Sequence, residues 1–345
     1  MPHRVAVVAG LCVAASVVAI QFVAIQAASS STEPAACPSR SATITDPVWS
    51  PDAKQIAWVL RCRSGTDQAW VAAANGSNAR PLRSSAFMDQ LAWTRAAGLL
   101  YSDVGSYLLW RLSGDGTRSL VARSYLPSAQ GIPSDATGTE VAWSSATCDL
   151  CWSPIHVRSI ARGWTKTVGA NPRFSGVNPT LSPDGRQVAY ERRRCRMGCG
   201  PSPAGIWVSS IDGGHPRRIA AEGYSPEWSA DGRWIAYDNG KGRLVVVAPD
   251  GSRRSVLPKA GDTKSLAPDF AWSSDSRKIA VWLNVLSIFN AATGRGHRIA
   301  LSASGLSGFA WAPKTDTLLI STGTQWASLW LIAADRNTQK ELRSC

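Results

Sequence analysis

The stretch PVWSPDAKQIAWV, Pro47–Val59, sets an aromatic residue, a tight polar turn and a second apolar run within a few positions. Closely similar strings begin at Pro179 (PTLSPDGRQVAY), Pro226 (PEWSADGRWIAY) and Phe270 (FAWSSDSRKIAV). A unit that recurs every ~40 to 50 residues cannot bury its apolar face alone, so it stacks on its neighbours. The sequence therefore predicts a repeat architecture.

Seven apolar or aromatic positions serve as anchors when the units are aligned. These anchors are Trp49, Trp93, Ile132, Leu181, Trp228, Trp272 and Trp311. Each unit continues with further apolar runs separated by turns, and the second and third units follow the pattern least well. Four short strands per unit match a propeller blade. We predict an all-β fold, a β-propeller of four-stranded antiparallel blades, with seven blades and six as the alternative.

Composition agrees with this architecture. The 345 residues include 16 Trp, 29 Gly and 20 Pro, and 44% are hydrophobic, which is enough for a packed core rich in turns. An aspartate recurs after the anchor in four units, where Asp side chains cap turns. These residues, Asp52, Asp184, Asp231 and Asp275, are therefore expected to stabilise turns rather than to perform acid–base chemistry.

The N-terminus is predicted to be an export segment. Residues 1–28 carry Arg4 and then an apolar run long enough to be a signal peptide or an uncleaved membrane anchor. Residues 29–42 are expected to be a linker and residues 43–345 the propeller. The predicted location is extracytoplasmic: periplasmic, secreted, or anchored and facing outside.

The repeat resembles a known family. The segment PTLSPDGRQVAYERR, followed by GIWVSSIDGGHPRRIA from Gly205 to Ala220, is similar to the TolB-type propeller repeat, which is related in shape to WD repeats. That resemblance implies a propeller of the bacterial envelope that binds other proteins and performs no chemistry. We therefore expect an exported, non-catalytic scaffold that binds a protein or an anionic envelope ligand.

Catalytic signals are few. No G-x-S-x-G motif is present, and His156, His215 and His297 fall in three different units. We expect no catalytic residues, no metal and no cofactor. The alternative is an extracytoplasmic propeller enzyme, a lyase or glycan hydrolase, with its active site at the mouth of the channel.

The cysteines suggest disulfides, because exported proteins meet oxidising conditions. Local pairs are expected between Cys148 and Cys151 and between Cys195 and Cys199, although a four-thiolate zinc site is an alternative for these residues. A bond between Cys37 and Cys345 would tie the first blade to the last. Cys62 is then expected to be unpaired or bonded to another molecule.

The net charge of +13 suggests an anionic partner. In a propeller, the loops between second and third strands and those between blades emerge on one face, and that face collects arginines and aromatics. The expected binding residues are Arg61, Arg63, Arg83, Arg123, Tyr125, Arg173, Phe174, Arg192, Arg193, Arg194, Arg196, Tyr224 and Lys264. An envelope protein or anionic polymer is the predicted partner of a monomeric propeller, and no nucleic acid is expected.

Overall fold

The architecture is taken from a computed structural model of the chain. It describes residues 42–62, 65–123, 125–126, 132, 138–145, 153–169, 174–194, 205–258, 269–301, 305–322 and 328–334. The proposed export segment and most of the linker, residues 1–41, lie outside this range. Among the described residues, no helix is both long and apolar enough to cross a membrane.

The described strands form seven antiparallel sheets, each a meander of consecutive strands. Blade 1 contains β1 (Ala42–Trp49), β2 (Gln55–Cys62), β3 (Asp67–Ala73) and β4 (Arg80–Ser85). Blade 2 contains β5 (Met88–Thr94), β6 (Gly98–Asp103), β7 (Leu108–Leu112) and β8 (Arg118–Arg123). Blade 3 contains β9 (Tyr125–Leu126), β10 (Glu140–Ser145), β11 (Ile155–Ser159) and β12 (Thr165–Val168).

The remaining four blades follow the same order. Blade 4 contains β13 (Phe174–Leu181), β14 (Gln187–Arg194), β15 (Gly205–Ser210) and β16 (Arg217–Ala220). Blade 5 contains β17 (Tyr224–Trp228), β18 (Ile235–Asp238), β19 (Leu244–Val247) and β20 (Arg254–Val256). Blade 6 contains β21 (Asp269–Trp272), β22 (Lys278–Trp282), β23 (Leu286–Asn290) and β24 (Gly296–Ile299). Blade 7 contains β25 (Leu306–Trp311), β26 (Thr317–Thr322) and β27 (Ser328–Ala333).

The core lies between blades. The described residues form seven clusters of buried side chains, and each cluster joins two neighbouring blades. In the cluster that closes the ring, Ile44 and Trp58 of blade 1 pack with Leu319 and Leu329 of blade 7. The prediction of a seven-bladed all-β propeller is confirmed, and each apolar blade face is stabilised by the next blade.

The anchor tryptophans make specific contacts between blades. The Trp272 indole N–H donates to the carbonyl of Glu227 at 3.2 Å, and the Trp311 indole donates to that of Ala271 at 2.9 Å. These two anchors thus contact the innermost strand of the preceding blade. Ile132 is the one anchor that does not lie in a strand, since it follows the two-residue β9, yet it is still buried.

The recurring aspartates do stabilise turns. The Asp52 carboxylate accepts hydrogen bonds from the Ser50 hydroxyl at 2.6 Å and the Lys54 backbone N–H at 3.0 Å. Asp184, Asp231 and Asp275 make the same pair of contacts in their own blades. Turn stabilisation therefore accounts for these four aspartates without an acid–base role.

Candidate functional site

The propeller has two faces that differ in their loops. The connection face carries the hairpins between second and third strands and the connections between blades, whereas the turn face carries the Asp-containing turns. The innermost strands β1, β5, β13 and β17 begin at the connection face and run towards the turn face. Side chains near their beginnings therefore lie close to the mouth of the channel.

A bulge interrupts several innermost strands at the same level. Asp46, Asn178 and Ser225, each three residues before an anchor, adopt left-handed φ angles of 49°, 49° and 50°. A proline follows each of them, and the strand register shifts at this point in β1, β13 and β17. Bulges of this kind re-aim side chains and are frequent near active sites.

At the bulge of blade 1, one guanidinium is surrounded by carboxylates. Arg61, in β2, lies 3.1 Å from Asp89, 3.6 Å from Asp46 and 3.7 Å from Asp67. It also donates to the Asp89 carbonyl at 3.1 Å and, through Nε, to the Thr45 hydroxyl at 3.0 Å. These four charged residues, the Arg61 cluster, join blades 1 and 2 on the connection face.

Two carboxyl groups of the Arg61 cluster have raised pKa values. Desolvation raises the pKa of Asp46 from 3.8 to about 6, against the lowering effect of the Thr45 hydroxyl and the Arg61 charge. Burial also raises the pKa of Asp67, although Arg61 opposes the shift. The Asp46 side chain still has 32% of its surface exposed, so a solute can reach it. A carboxyl group that titrates near neutral pH is suited to proton transfer.

A second charged group joins blades 4 and 5. The fully buried Glu191 carboxylate accepts hydrogen bonds from Arg193 at 2.6 and 3.0 Å and from the Ser225 backbone N–H at 2.7 Å. The Asn178 amide donates to the same carboxylate. Because each of these groups donates a hydrogen bond to the buried carboxylate, Glu191 holds the two blades together rather than offering a free charge.

Arg192 lies between two aromatic rings. Its guanidinium carbon is 4.0 Å from the centre of the Phe174 ring and 4.4 Å from that of Trp207. The structure therefore brings together the predicted binding residues Arg192 and Phe174, and stacks them on the blade.

The other predicted binding residues are more dispersed. Arg83 and Tyr224 are half-buried at the connection face, whereas Arg123 is exposed at the end of β8. Tyr125 lies in β9 and Arg194 in β14, and only their backbones are described. The predicted binding residues outside the described range are Arg63, Arg173, Arg196 and Lys264, as are the predicted disulfide residues Cys37, Cys148, Cys151, Cys195, Cys199 and Cys345.

Cys62 is disulfide-bonded, so the expectation that it is unpaired was wrong. It ends β2 at the connection face, close to the hairpin that follows. As every other cysteine of the chain lies outside the described residues, so does its partner. The bond favours an oxidising compartment.

Glu227 of β17 is an unusual carboxyl group near the channel. Its Oε2 atom is buried without a hydrogen-bond partner, and its Oε1 atom lies 3.5 Å from the Trp272 backbone nitrogen. Desolvation raises the pKa of Glu227 from 4.5 to about 8. This group is therefore protonated at neutral pH.

A metal ion needs several ligand side chains in one place. Within the described part of the chain, no three His, Cys, Asp or Glu residues are grouped so that they could hold a metal ion. The described residues therefore do not provide a metal site.

Comparisons with known proteins show the fold. Neither a protein-family model nor a curated protein sequence matches the chain. Among solved structures, it is similar to an oligogalacturonate lyase in complex with manganese, with a TM-score of 0.66, 12% identity, and coverage of 85% of this chain and 90% of the lyase. A second oligogalacturonate lyase, from Vibrio parahaemolyticus, gives a TM-score of 0.63 at 11% identity, covering 84% and 90% of the two chains.

TolB from Acinetobacter baumannii is also similar, with a TM-score of 0.50, 15% identity, and coverage of 74% of this chain and 62% of TolB. The resemblance to TolB-type propellers is thus confirmed for the fold. The inference drawn from it, a non-catalytic scaffold that is not an enzyme, was wrong. Two of these neighbours are named as lyases and cover 85% and 84% of this chain, so a likeness to TolB does not by itself imply a propeller without chemistry.

The sequence did contain a signal for the bulge residues that was missed. Asp46–Pro47, Asn178–Pro179 and Ser225–Pro226 occupy one repeat position, a polar residue before proline within a strand. Proline inside a strand indicates a bulge or an edge. Asp46 could have been selected on this basis, but its proximity to Asp67 and Asp89 could not.

Proposed function

We propose that this protein is an extracytoplasmic propeller enzyme that cleaves an acidic polysaccharide, a polyuronate, by β-elimination at the connection face. The Arg61 cluster is the observation that carries the proposal, because it sets an accessible carboxyl of pKa about 6 beside a guanidinium. The lyase activity named for two structural neighbours supports the choice of reaction. The cationic surface of the protein attracts a polyanion.

Each residue has a separate role in this reaction. The Asp46 carboxylate takes the proton from the sugar carbon next to the uronate carboxylate, and the bond from the adjacent carbon to the glycosidic oxygen breaks as a carbon–carbon double bond forms. The departing oxygen takes its proton from water. Arg61 stabilises the negative charge that develops on the uronate carboxylate.

The geometry of the cluster allows Arg61 to bind the carboxylate of a substrate. Its separations of 3.6 and 3.7 Å from Asp46 and Asp67 exceed hydrogen-bond length, and 36% of its side-chain surface is exposed. A substrate carboxylate can therefore approach the guanidinium while Asp89 continues to hold it.

An extracytoplasmic location belongs to the same proposal. The disulfide at Cys62 supports an oxidising compartment, and the apolar run in residues 1–28 is typical of exported proteins. Polyuronates are polymers of cell walls and envelopes, so substrate and enzyme would meet outside the cytoplasm.

The test is to incubate the purified protein with polygalacturonate and other polyuronates. Ultraviolet absorbance records the unsaturated product of elimination, and a reducing-end assay records any cleavage. We expect both signals to rise with the parent protein, to be lost in Asp46→Asn and to persist in Asp52→Asn, which alters a turn on the opposite face. Reducing ends without absorbance would show hydrolysis and overturn elimination. Neither signal on any polyuronate would overturn the proposed function.

A further inference from the structure

Three large hydrophobic side chains are exposed among the described residues, and two of them lie on neighbouring loops of blade 2. Phe87 is 57% exposed and Tyr107 is 47% exposed, whereas the third, Val256 at 47%, lies in the outer strand of blade 5. Phe87 precedes β5 and Tyr107 precedes β7, so both belong to loops of the connection face. Exposed aromatics on such loops are typical of binding surfaces.

Both loops are fixed by hydrogen bonds. The Val104 backbone N–H donates to the Phe87 carbonyl at 3.1 Å and connects the two loops. The nearly buried Asp103 carboxylate accepts from the Ser106 backbone N–H at 3.1 Å and from the Ser85 hydroxyl at 3.3 Å. The aromatic side chains are therefore carried on an ordered support.

The Phe87 ring lies directly on Gly105. A methyl group added at this glycine would lie 2.3 Å from the Phe87 Cδ2 atom, which is far closer than atoms can approach. Tyr107, two residues later, has a left-handed φ of 53°, an unusual conformation for a bulky residue. Backbone strain of this kind is often found at functional positions.

The strand next to the Tyr107 loop ends in a cationic residue, Arg123. Arg123 is exposed at the end of β8, and it pairs across the sheet with Leu108, the residue after Tyr107. Phe87, Tyr107 and Arg123, the aromatic shelf, thus combine apolar ring faces with a guanidinium. A uronate sugar ring presents a face of C–H groups and carries one carboxylate, so it complements such a surface.

The aromatic shelf is continuous with the Arg61 cluster. Asp89 follows Phe87 by two residues, and Arg61 donates to the Asp89 carbonyl at 3.1 Å. A sugar chain bound at the Arg61 cluster can therefore extend over blade 2. We infer that the aromatic shelf binds a neighbouring uronate residue of the same polysaccharide, an inference that rests on the proposed function. The sugar ring would lie on Phe87 and Tyr107, and its carboxylate would bind Arg123.

Equilibrium binding tests this inference without requiring cleavage. An oligogalacturonate and the same oligosaccharide with methyl-esterified carboxyls are titrated into each protein by calorimetry, in the parent and in the Asp46→Asn background. We expect Phe87→Ala and Tyr107→Ala each to weaken binding of both ligands about three- to tenfold. Arg123→Gln should weaken binding of the acidic ligand alone, and Val256→Ala should change neither.

Two further variants separate ring position from folding. Gly105→Ala leaves Phe87 in the chain but displaces its ring, so it should weaken binding as Phe87→Ala does. Tyr107→Phe retains the ring and should bind as the parent does. Far-ultraviolet circular dichroism and the thermal midpoint show whether each variant is folded.

The outcomes distinguish this inference from the proposed function. Binding that depends on the aromatic shelf, in a protein that cleaves no polyuronate, would support the shelf and overturn the enzyme. Cleavage and binding that are unchanged in Phe87→Ala and Tyr107→Ala would overturn the shelf and leave the enzyme. If the parent binds neither oligosaccharide, the aromatic shelf is not a uronate site.

Discussion

The Glu191 carboxylate accepts a 2.7 Å hydrogen bond from the backbone N–H of Ser225, so one buried side chain of blade 4 holds the innermost strand of blade 5. Arg193 supplies the charge that balances this carboxylate. Replacing Arg193 by Ser would leave a buried anion without its cation. Because the Arg193 side chain is 42% exposed and water can partly replace it, we expect a loss of about 1–3 kcal/mol in the free energy of unfolding, measured by urea denaturation.

Arg186→Ser is the matched control, since this arginine is exposed on the same blade. Its replacement should change the free energy of unfolding by less than about 0.5 kcal/mol. Equal stability of the two variants would show that Arg193 does not balance Glu191. Arg193 would then be available to a ligand, as the sequence analysis expected.

Closure of the ring depends on a contact between its ends. The Ser307 hydroxyl donates to the Ile44 carbonyl at 2.6 Å and also contacts the Ser321 hydroxyl at 3.1 Å. Ser307→Ala leaves that carbonyl without its donor and should cost about 1 kcal/mol of unfolding free energy. Ser252→Ala, in an exposed turn, is the comparison and should be nearly neutral. Hydrogen exchange of β1 should rise in Ser307→Ala, and unchanged exchange there would contradict the role of this contact.

The pH dependence of activity should follow Asp46. With its pKa raised to about 6, the carboxylate form needed as a base is lost as pH falls through that value, so kcat/KM for polyuronate cleavage should fall with it. Asp46→Asn should lower kcat about 100-fold or more. A cleavage rate that is independent of pH between about 5 and 7 in the parent protein would contradict this assignment.

The same shift has a consequence for stability. The folded protein binds the Asp46 proton more tightly than the unfolded chain, so stability falls as pH rises from about 4 to about 6. Asp46→Asn should remove this contribution to stability as well as lowering the rate of cleavage. Parallel denaturation curves at several pH values in the parent and the variant measure the difference.

The raised pKa of Glu227 predicts a loss of stability at alkaline pH. Its pKa rises from 4.5 in the unfolded chain to about 8 in the fold, so the folded state holds the extra proton across this range and loses stability as pH rises through it. Glu227→Gln mimics the protonated form and should be more stable than the parent by about 1 kcal/mol or more above about pH 8. The two proteins should converge below about pH 4.5, and a difference in stability that is constant at all pH values would show that the fold does not raise the pKa of Glu227.

The sequence by itself determined the blades. The recurring anchor, the Asp-containing turn and the apolar runs are local patterns, and Trp49 or Asp52 has the same role wherever its unit lies in the ring. Even the pairing of Glu191 with Arg193 could be predicted from the sequence, because residues two apart on a strand share a face. Local periodicity encodes these features, so no knowledge of distant neighbours was needed.

Only the tertiary structure decided which charges meet. Asp46, Asp67 and Asp89 come from three strands of two blades, and they surround Arg61 because blade packing and the bulge in β1 bring them there. The repeat pattern does not specify such contacts, since it is the same in every blade while the charged residues differ. The raised pKa of Asp46 has the same origin, because it results from desolvation. Desolvation depends on which residues of the neighbouring blade cover the carboxyl group. The sequence of the strand that carries Asp46 does not specify those residues.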